Sequence, residues 1–136
     1  MPTINIADIE IYYSRIGSGD NLIIFPDNHL SSSAYKKEID HFAKRFEVVA
    51  FDYPTTGKST LHVKYPDERQ VDYWGFWADL ACHLLIELKI NRCYALGVAG
   101  GALTALQFAG KQAAQHKIEL QGLILDSFLA DWDTRT

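Results

Sequence analysis

Long apolar runs are absent from the 136-residue sequence, and no stretch approaches the length that crosses a bilayer. Residues 1–20 mix apolar positions with Asp8, Glu10 and Arg15, unlike the charged start and apolar core of a signal peptide, so no leader is expected. Basic clusters are scarce too. Lysine and arginine number 13 against 17 acidic residues, a net charge of −4, and the pairs Lys36-Lys37 and Lys44-Arg45 read as the wet face of a helix. Neither nucleic acid nor an anionic membrane is therefore the expected partner. Cysteine is limited to Cys82 and Cys93, in segments that read as a core helix and a core strand, where a free thiol behaves as a small hydrophobe. A disulfide is poorly motivated, and a reducing cytoplasm is the expected location. No His/Cys/Asp/Glu group shows the spacing of metal ligands along the chain, so neither a metal nor a cofactor is expected. Repeats, low-complexity tracts and linkers are missing as well, and residues 1–136 are expected to form a single domain.

What is present is apolar residue in quantity, 48% of the chain, arranged in two patterns. Thr3–Ile6 and Glu10–Ile16 alternate in polarity around Ala7-Asp8, which predicts a partly exposed meander at a sheet edge, ended by the turn Gly17-Ser18-Gly19-Asp20. Four later runs, Leu22–Phe25, Val48–Phe51, Tyr94–Leu96 and Leu123–Leu125, are short and continuously apolar, as suits parallel strands covered on both faces. Between them, Tyr35, Ile39, Phe42, Ala43 and Phe46 repeat the offsets of Trp77, Ala81, Leu84, Leu85 and Leu88, placing an apolar stripe along one face of each of two helices. A third helix is predicted from about Gly100 to Gln115, with Ala102, Ala105 and Ala109 allowing close approach to the sheet. Strand, helix and strand follow one another three times. That order predicts an α/β protein: a three-layer α/β/α sandwich with a mostly parallel sheet of about six strands.

The segment Leu96-Gly97-Val98-Ala99-Gly100-Gly101-Ala102 runs from a strand through glycines straight into a helix. With the rest of the chain it resembles the α/β-hydrolase superfamily, whose G-x-S-x-G nucleophile elbow needs small residues around a sharp strand-to-helix turn. Gly97, Gly100 and Gly101 keep that requirement, and Ala99 stands at the nucleophile position. Asp52–Ser59 resembles the D-x-R-G-x-G-x-S loop of many members, departing from it at Pro54 and Thr55, and Leu123–Ser127 resembles the strand before the family's lid insertion. The resemblance covers essentially the whole chain and implies a truncated α/β-hydrolase fold. It also implies that the helices after Phe25 and after Phe51 lie on opposite faces of the sheet. The strands ending at Phe25 and Leu96 then become neighbours, with a ligand site outside their carboxyl ends. Asp27, Asn28, His29, Val98, Ala99 and Gly100 are the candidate lining of that site.

The chemistry departs from the family. A serine Oγ attacks a carbonyl once histidine takes its proton, whereas the methyl of Ala99 has neither lone pair nor proton to give. Neither Ser127 nor Thr104 is expected at the elbow. Pro26-Asp27 replace the His-Gly that many members carry in the oxyanion loop, and an inward Asp27 carboxylate opposes stabilisation of negative charge. The histidine that the family carries after its last strands has no counterpart. His41, His83 and His116 fall on predicted helices as solvated or ordinarily hydrogen-bonded residues, His62 falls in a loop, and His29 is the one placed near the site. Asp126 lies where some members place their triad acid, but without a base partner it reads as a loop-capping carboxylate. Tyr73, Trp74, Phe76 and Trp77 read as core and rim packing of a helix. Gly97–Gly101 lacks the G-x-G-x-x-G order of a dinucleotide-binding turn.

Three readings follow. The chain is a piece of a hydrolase whose lid and last strands lie elsewhere; or a noncatalytic hydrolase-fold protein that binds a small apolar ligand or acyl compound, or itself; or an active hydrolase with unorthodox residues. The Leu123–Leu125 strand is expected at an open sheet edge with one face partly bare, which favours a homodimer through that edge or face.

Overall fold

The computed structural model describes residues 3–6, 9–25, 35–52, 60–61, 73–98 and 101–126. Its strands are β1 (Thr3–Ile6), β2 (Ile9–Ile16), β3 (Asp20–Phe25), β4 (Phe46–Phe51), β5 (Thr60–Leu61), β6 (Arg92–Val98) and β7 (Glu119–Asp126). Its helices are α1 (Lys36–Phe42), α2 (Tyr73–Glu87), α3 (Gly101–Gln107) and α4 (Ala113–Gln115), with a π-helical stretch, Phe108–Gln112, joining the last two. The sheet runs in the order β1-β2-β4-β3-β6-β7, and the two-residue β5 pairs with β2. β4, β3, β6 and β7 are mutually parallel, while β1 pairs antiparallel with β2, and β2 with β4. The predicted antiparallel edge and parallel centre are both present.

Each central strand alternates its side chains between two cores, because successive residues of a strand point to opposite faces. On one face, Leu22, Ile24, Val48, Ala50 and Leu96 meet Tyr35 and Ile39 beside α1. On the other, Ile23, Phe25, Val49, Phe51 and Ala95 meet Trp77, Ala81, Leu84 and Leu85 of α2 and Ala105 and Phe108 after β6. Thus α1 and α2 cover opposite faces, as right-handed crossovers require when β3–α1–β4 and β4–α2–β6 run in opposite directions across the sheet. β7 differs from its neighbours. Its Leu123 and Leu125 pack towards the α2 core, but Ile124, in register with buried Leu96 on the α1 face, is 47% exposed.

Two helix boundaries depart from the sequence reading. Phe46 opens β4 instead of closing the stripe of α1, because the chain turns at Ala43–Arg45 and Phe46 pairs with Asp20 of β3. Leu88 lies one residue beyond α2. The third helical stretch spans Gly101 to Gln115 as expected, but widens into a π-turn that sets Phe108 against Phe25, ring centroids 5.2 Å apart, and leaves Ala109 only half-buried.

α2 and α4 end alike. Lys89 and Lys117 take left-handed backbone angles, φ 61° and 60°. After α2, Lys89 N–H donates to Ile86 O and Ile90 N–H to Leu85 O; after α4, Lys117 N–H donates to Ala114 O and Ile118 N–H to Ala113 O. Both are Schellman motifs, and Ile90 and Ile118 are the buried apolar residues that close them.

Candidate functional site

β3 and β6 lie side by side with Phe25 opposite Gly97, so the segments that follow both strands leave from the same end of the sheet. This is the strand arrangement implied for the ligand site, at the point where chain connections diverge to the two faces. Of its candidate lining, Val98 is the half-buried last residue of β6. Asp27, Asn28, His29, Ala99 and Gly100 lie outside the described residues, as do Pro26, Leu30, His62, most of the Asp52–Ser59 loop and Ser127.

The turn from β6 to α3 is built on close approach. A Cβ on Gly97 would stand 2.7 Å from Ala102 Cα and 2.7 Å from Ala105 Cβ, so only a glycine lets the helix start this near the strand. Ala102 and Ala105 are fully buried, the role foreseen for them. Thr104, also fully buried in α3, has no hydrogen-bond partner for its Oγ1 among the described residues. Asp52 is buried at the end of β4, where its N–H donates to Tyr12 O at 3.0 Å. Asp126, at the exposed end of β7, is in register with Val98.

A cavity of about 470 Å³ lies away from these strand ends, lined by His41, Phe42, Lys44, Arg45 and Phe46 between α1 and the start of β4. Cys82 and Cys93 are free and fully buried, as expected of small hydrophobes in a helix and a strand. Burial pushes both thiols up to about 12, with the Asp79 carboxylate adding to the effect at Cys82.

The histidines show what sequence spacing missed. His41 is exposed, its ring edge-on to Phe42. His116 stands in the turn after α4, not on a helix, and its Nε2 lies 2.6 Å from Asp79 Oδ1. His83 Nε2 lies 3.4 Å from Asp79 Oδ2, so one carboxylate joins both imidazoles. The expectation that no His/Cys/Asp/Glu group has ligand spacing concerned order along the chain, and this cluster is assembled in space from a helix and a distant turn. Asp79 and His83, four residues apart on a helix, carried a legible signal; His116, thirty-seven residues from Asp79, carried none.

No protein-family model matches this chain, and no curated protein matches it. Solved structures do. An α/β-hydrolase-fold protein from Burkholderia ambifaria is 24% identical, with a TM-score of 0.73 over 96% of this chain and 45% of its own. A thermophilic esterase from Thermogutta terrifontis is 20% identical, with a TM-score of 0.76 over 92% of this chain and 45% of its own. A protein described as an N-acyl homoserine lactone degrading enzyme is 20% identical, with a TM-score of 0.75 over 91% of this chain and 44% of its own. The chain spans less than half the length of these structures. These likenesses, with TM-scores of 0.73–0.76 over 91% or more of the chain, show that it has the α/β-hydrolase fold.

Proposed function

We propose that this chain is a noncatalytic α/β-hydrolase-fold unit whose segments after β3 and β6 receive a small apolar ligand or an acyl compound. The observation that carries this reading is Ala99, directly after β6 at the strand end beside β3, where the fold's hydrolases need a nucleophile. A methyl group there removes covalent catalysis and leaves the binding geometry of adjoining strand ends. Two fully buried free thiols support a reducing compartment, and among the described residues no helix is long and apolar enough to cross a membrane. The net charge of −4 supports partners other than nucleic acid.

The test is turnover of short-chain acyl esters together with labelling by a fluorophosphonate probe. The expected result is rates equal to a heat-denatured control and no labelled band. Ala99→Ser is expected to remain inefficient, because a hydroxyl without a general base transfers its proton unassisted. Turnover by the native chain, or a large rate gain from that one change, overturns the proposal. A second reading, that the chain works as part of a longer hydrolase supplying an acid and a base, is favoured by its span of less than half of the matched structures. A coding sequence that continues in frame with strands and a histidine beyond Thr136 supports it.

A further inference from the structure

The solvent side of α2 carries a carboxylate and an imidazole one helical turn apart, Asp79 and His83. His116 reaches them from the turn between α4 and β7, which is held by the Lys117 and Ile118 amides. Its Nε2 is 2.6 Å from Asp79 Oδ1, His83 Nε2 is 3.4 Å from Asp79 Oδ2, and the two rings meet edge to face with centroids 5.0 Å apart. One donor atom from each residue lies within 4.8 Å of the other two.

We propose that Asp79, His83 and His116 form a three-ligand site for a divalent transition metal ion, best suited to zinc, with water completing the coordination. Two imidazole nitrogens and one carboxylate oxygen are donors that zinc accepts, whereas calcium and magnesium favour all-oxygen sets. Tetrahedral zinc with bonds of about 2.0–2.2 Å sets its donors roughly 3.3 Å apart. The Asp79 Oδ2–His83 Nε2 separation of 3.4 Å is close to that value, and the shorter contact of His116, made to the other carboxylate oxygen, Oδ1, opens once its hydrogen bond is given up. Both backbones are fixed by packing, for Ala78 and Leu80 flank Asp79 in the core and Ala113 and Ile118 anchor the turn of His116. Only side-chain rotation is needed. The side chains of Asp79 and His83 are each 46% exposed and that of His116 22%, which leaves the metal one open side for water.

In the metal-free cluster the imidazoles turn Nε2 towards the carboxylate. On binding, each Nε2 lone pair goes to the metal and the ring proton resides on Nδ1; a ring that starts as imidazolium gives one proton to solvent. The site sits at the amino-terminal end of β7, away from the carboxyl ends of β3 and β6. Its consequence is therefore structural, a clamp between α2 and the entry to β7.

The test uses the intact chain, freed of metal with a chelator and titrated with zinc chloride by calorimetry. One ion per chain is expected, with a rise in melting temperature and, for cobalt(II) in place of zinc, the visible absorption of a low-coordinate ion. His83→Ala and His116→Ala are each expected to weaken zinc binding roughly tenfold or more, and His41→Ala to leave it unchanged. His116→Gln keeps a donor for Asp79 but loses the imidazole, so it separates lost coordination from lost folding; its circular dichroism is expected to match that of the native chain. Absence of saturable zinc binding by the native chain, or equal binding by a folded His83→Ala/His116→Ala variant, overturns the proposal and leaves the cluster as a hydrogen-bonded clamp only.

Discussion

Single residues show how little room the β6–α3 junction leaves. A methyl on Gly97 meets the backbone of Ala102 and the Cβ of Ala105, and neither can swing aside. Gly97→Ala is therefore expected to destabilise the chain by about 3 kcal/mol, read as a lower denaturant midpoint with an unchanged slope. The thiols give a second residue-scale expectation. Cys82 and Cys93 hold their protons to about 12 in the folded chain, against 9.0 for an unperturbed thiol. Above pH 9 the unfolded chain binds fewer protons than the folded one, so stability is full below that point and falls as pH rises towards 12, by about 1.4 kcal/mol per unit for each thiol. Urea midpoints measured across this range are expected to fall less steeply in the Cys82→Ala/Cys93→Ala variant. A thiol reagent at neutral pH is expected to modify neither cysteine until the chain is unfolded.

Among the elements, the helix ends are under local strain. Lys89 and Lys117 occupy left-handed conformations that cost an L-residue with a Cβ about 1 kcal/mol, and glycine takes them without that cost. Lys89→Gly and Lys117→Gly are each expected to raise stability by about 0.5–1 kcal/mol, since neither lysine needs its side chain for the backbone bonds of the motif. Unchanged or lower melting temperatures in both variants would show that the lysine side chains contribute more than the backbone strain costs. Phe46 is instructive at the same scale. Its spacing fits the stripe of α1, yet it opens β4 and meets Tyr94 edge-on at 5.4 Å, because pairing with β3 satisfies a backbone that one more helical turn would leave without a sheet partner.

At the scale of the whole molecule, α1 covers its face of the sheet over β3 and β4, and among the described residues no element covers that face at β7. Tyr94 lies across Gly122, where a Cβ would stand 2.9 Å from its ring, and Ile124 beyond it is 47% exposed. Among the described residues no strand pairs with the outer edge of β7. An unpaired edge beside an apolar strip favours another copy of the chain, and covering several hundred Å² at about 25 cal/mol per Å² offsets much of the cost of association. Sedimentation at tens of micromolar is expected to show a dimer, and Ile124→Lys to shift it towards monomer. A monodisperse monomer with Ile124 protected from amide exchange would mean that the chain covers this edge itself.

The sequence by itself determined the elements and their faces. Runs such as Leu22–Phe25 and Val48–Phe51 have nowhere to go but between two layers, and the stripe of Trp77, Ala81, Leu84 and Leu85 can bury only one side of a helix. The strand order was legible only through resemblance, as what the likeness of the glycine-rich segment after Leu96 and the rest of the chain to α/β hydrolases implied. Tertiary structure alone decided what depends on contacts between distant residues. Phe108 was fixed by a π-turn that fits its ring against Phe25, and the boundary at Phe46 by pairing with β3. His116 met Asp79 and His83 only because α2 and the entry to β7 pack on one side of the sheet. Periodicity is a property of neighbours along the chain, whereas a cluster drawn from a helix and a distant turn exists only once the core between them has closed.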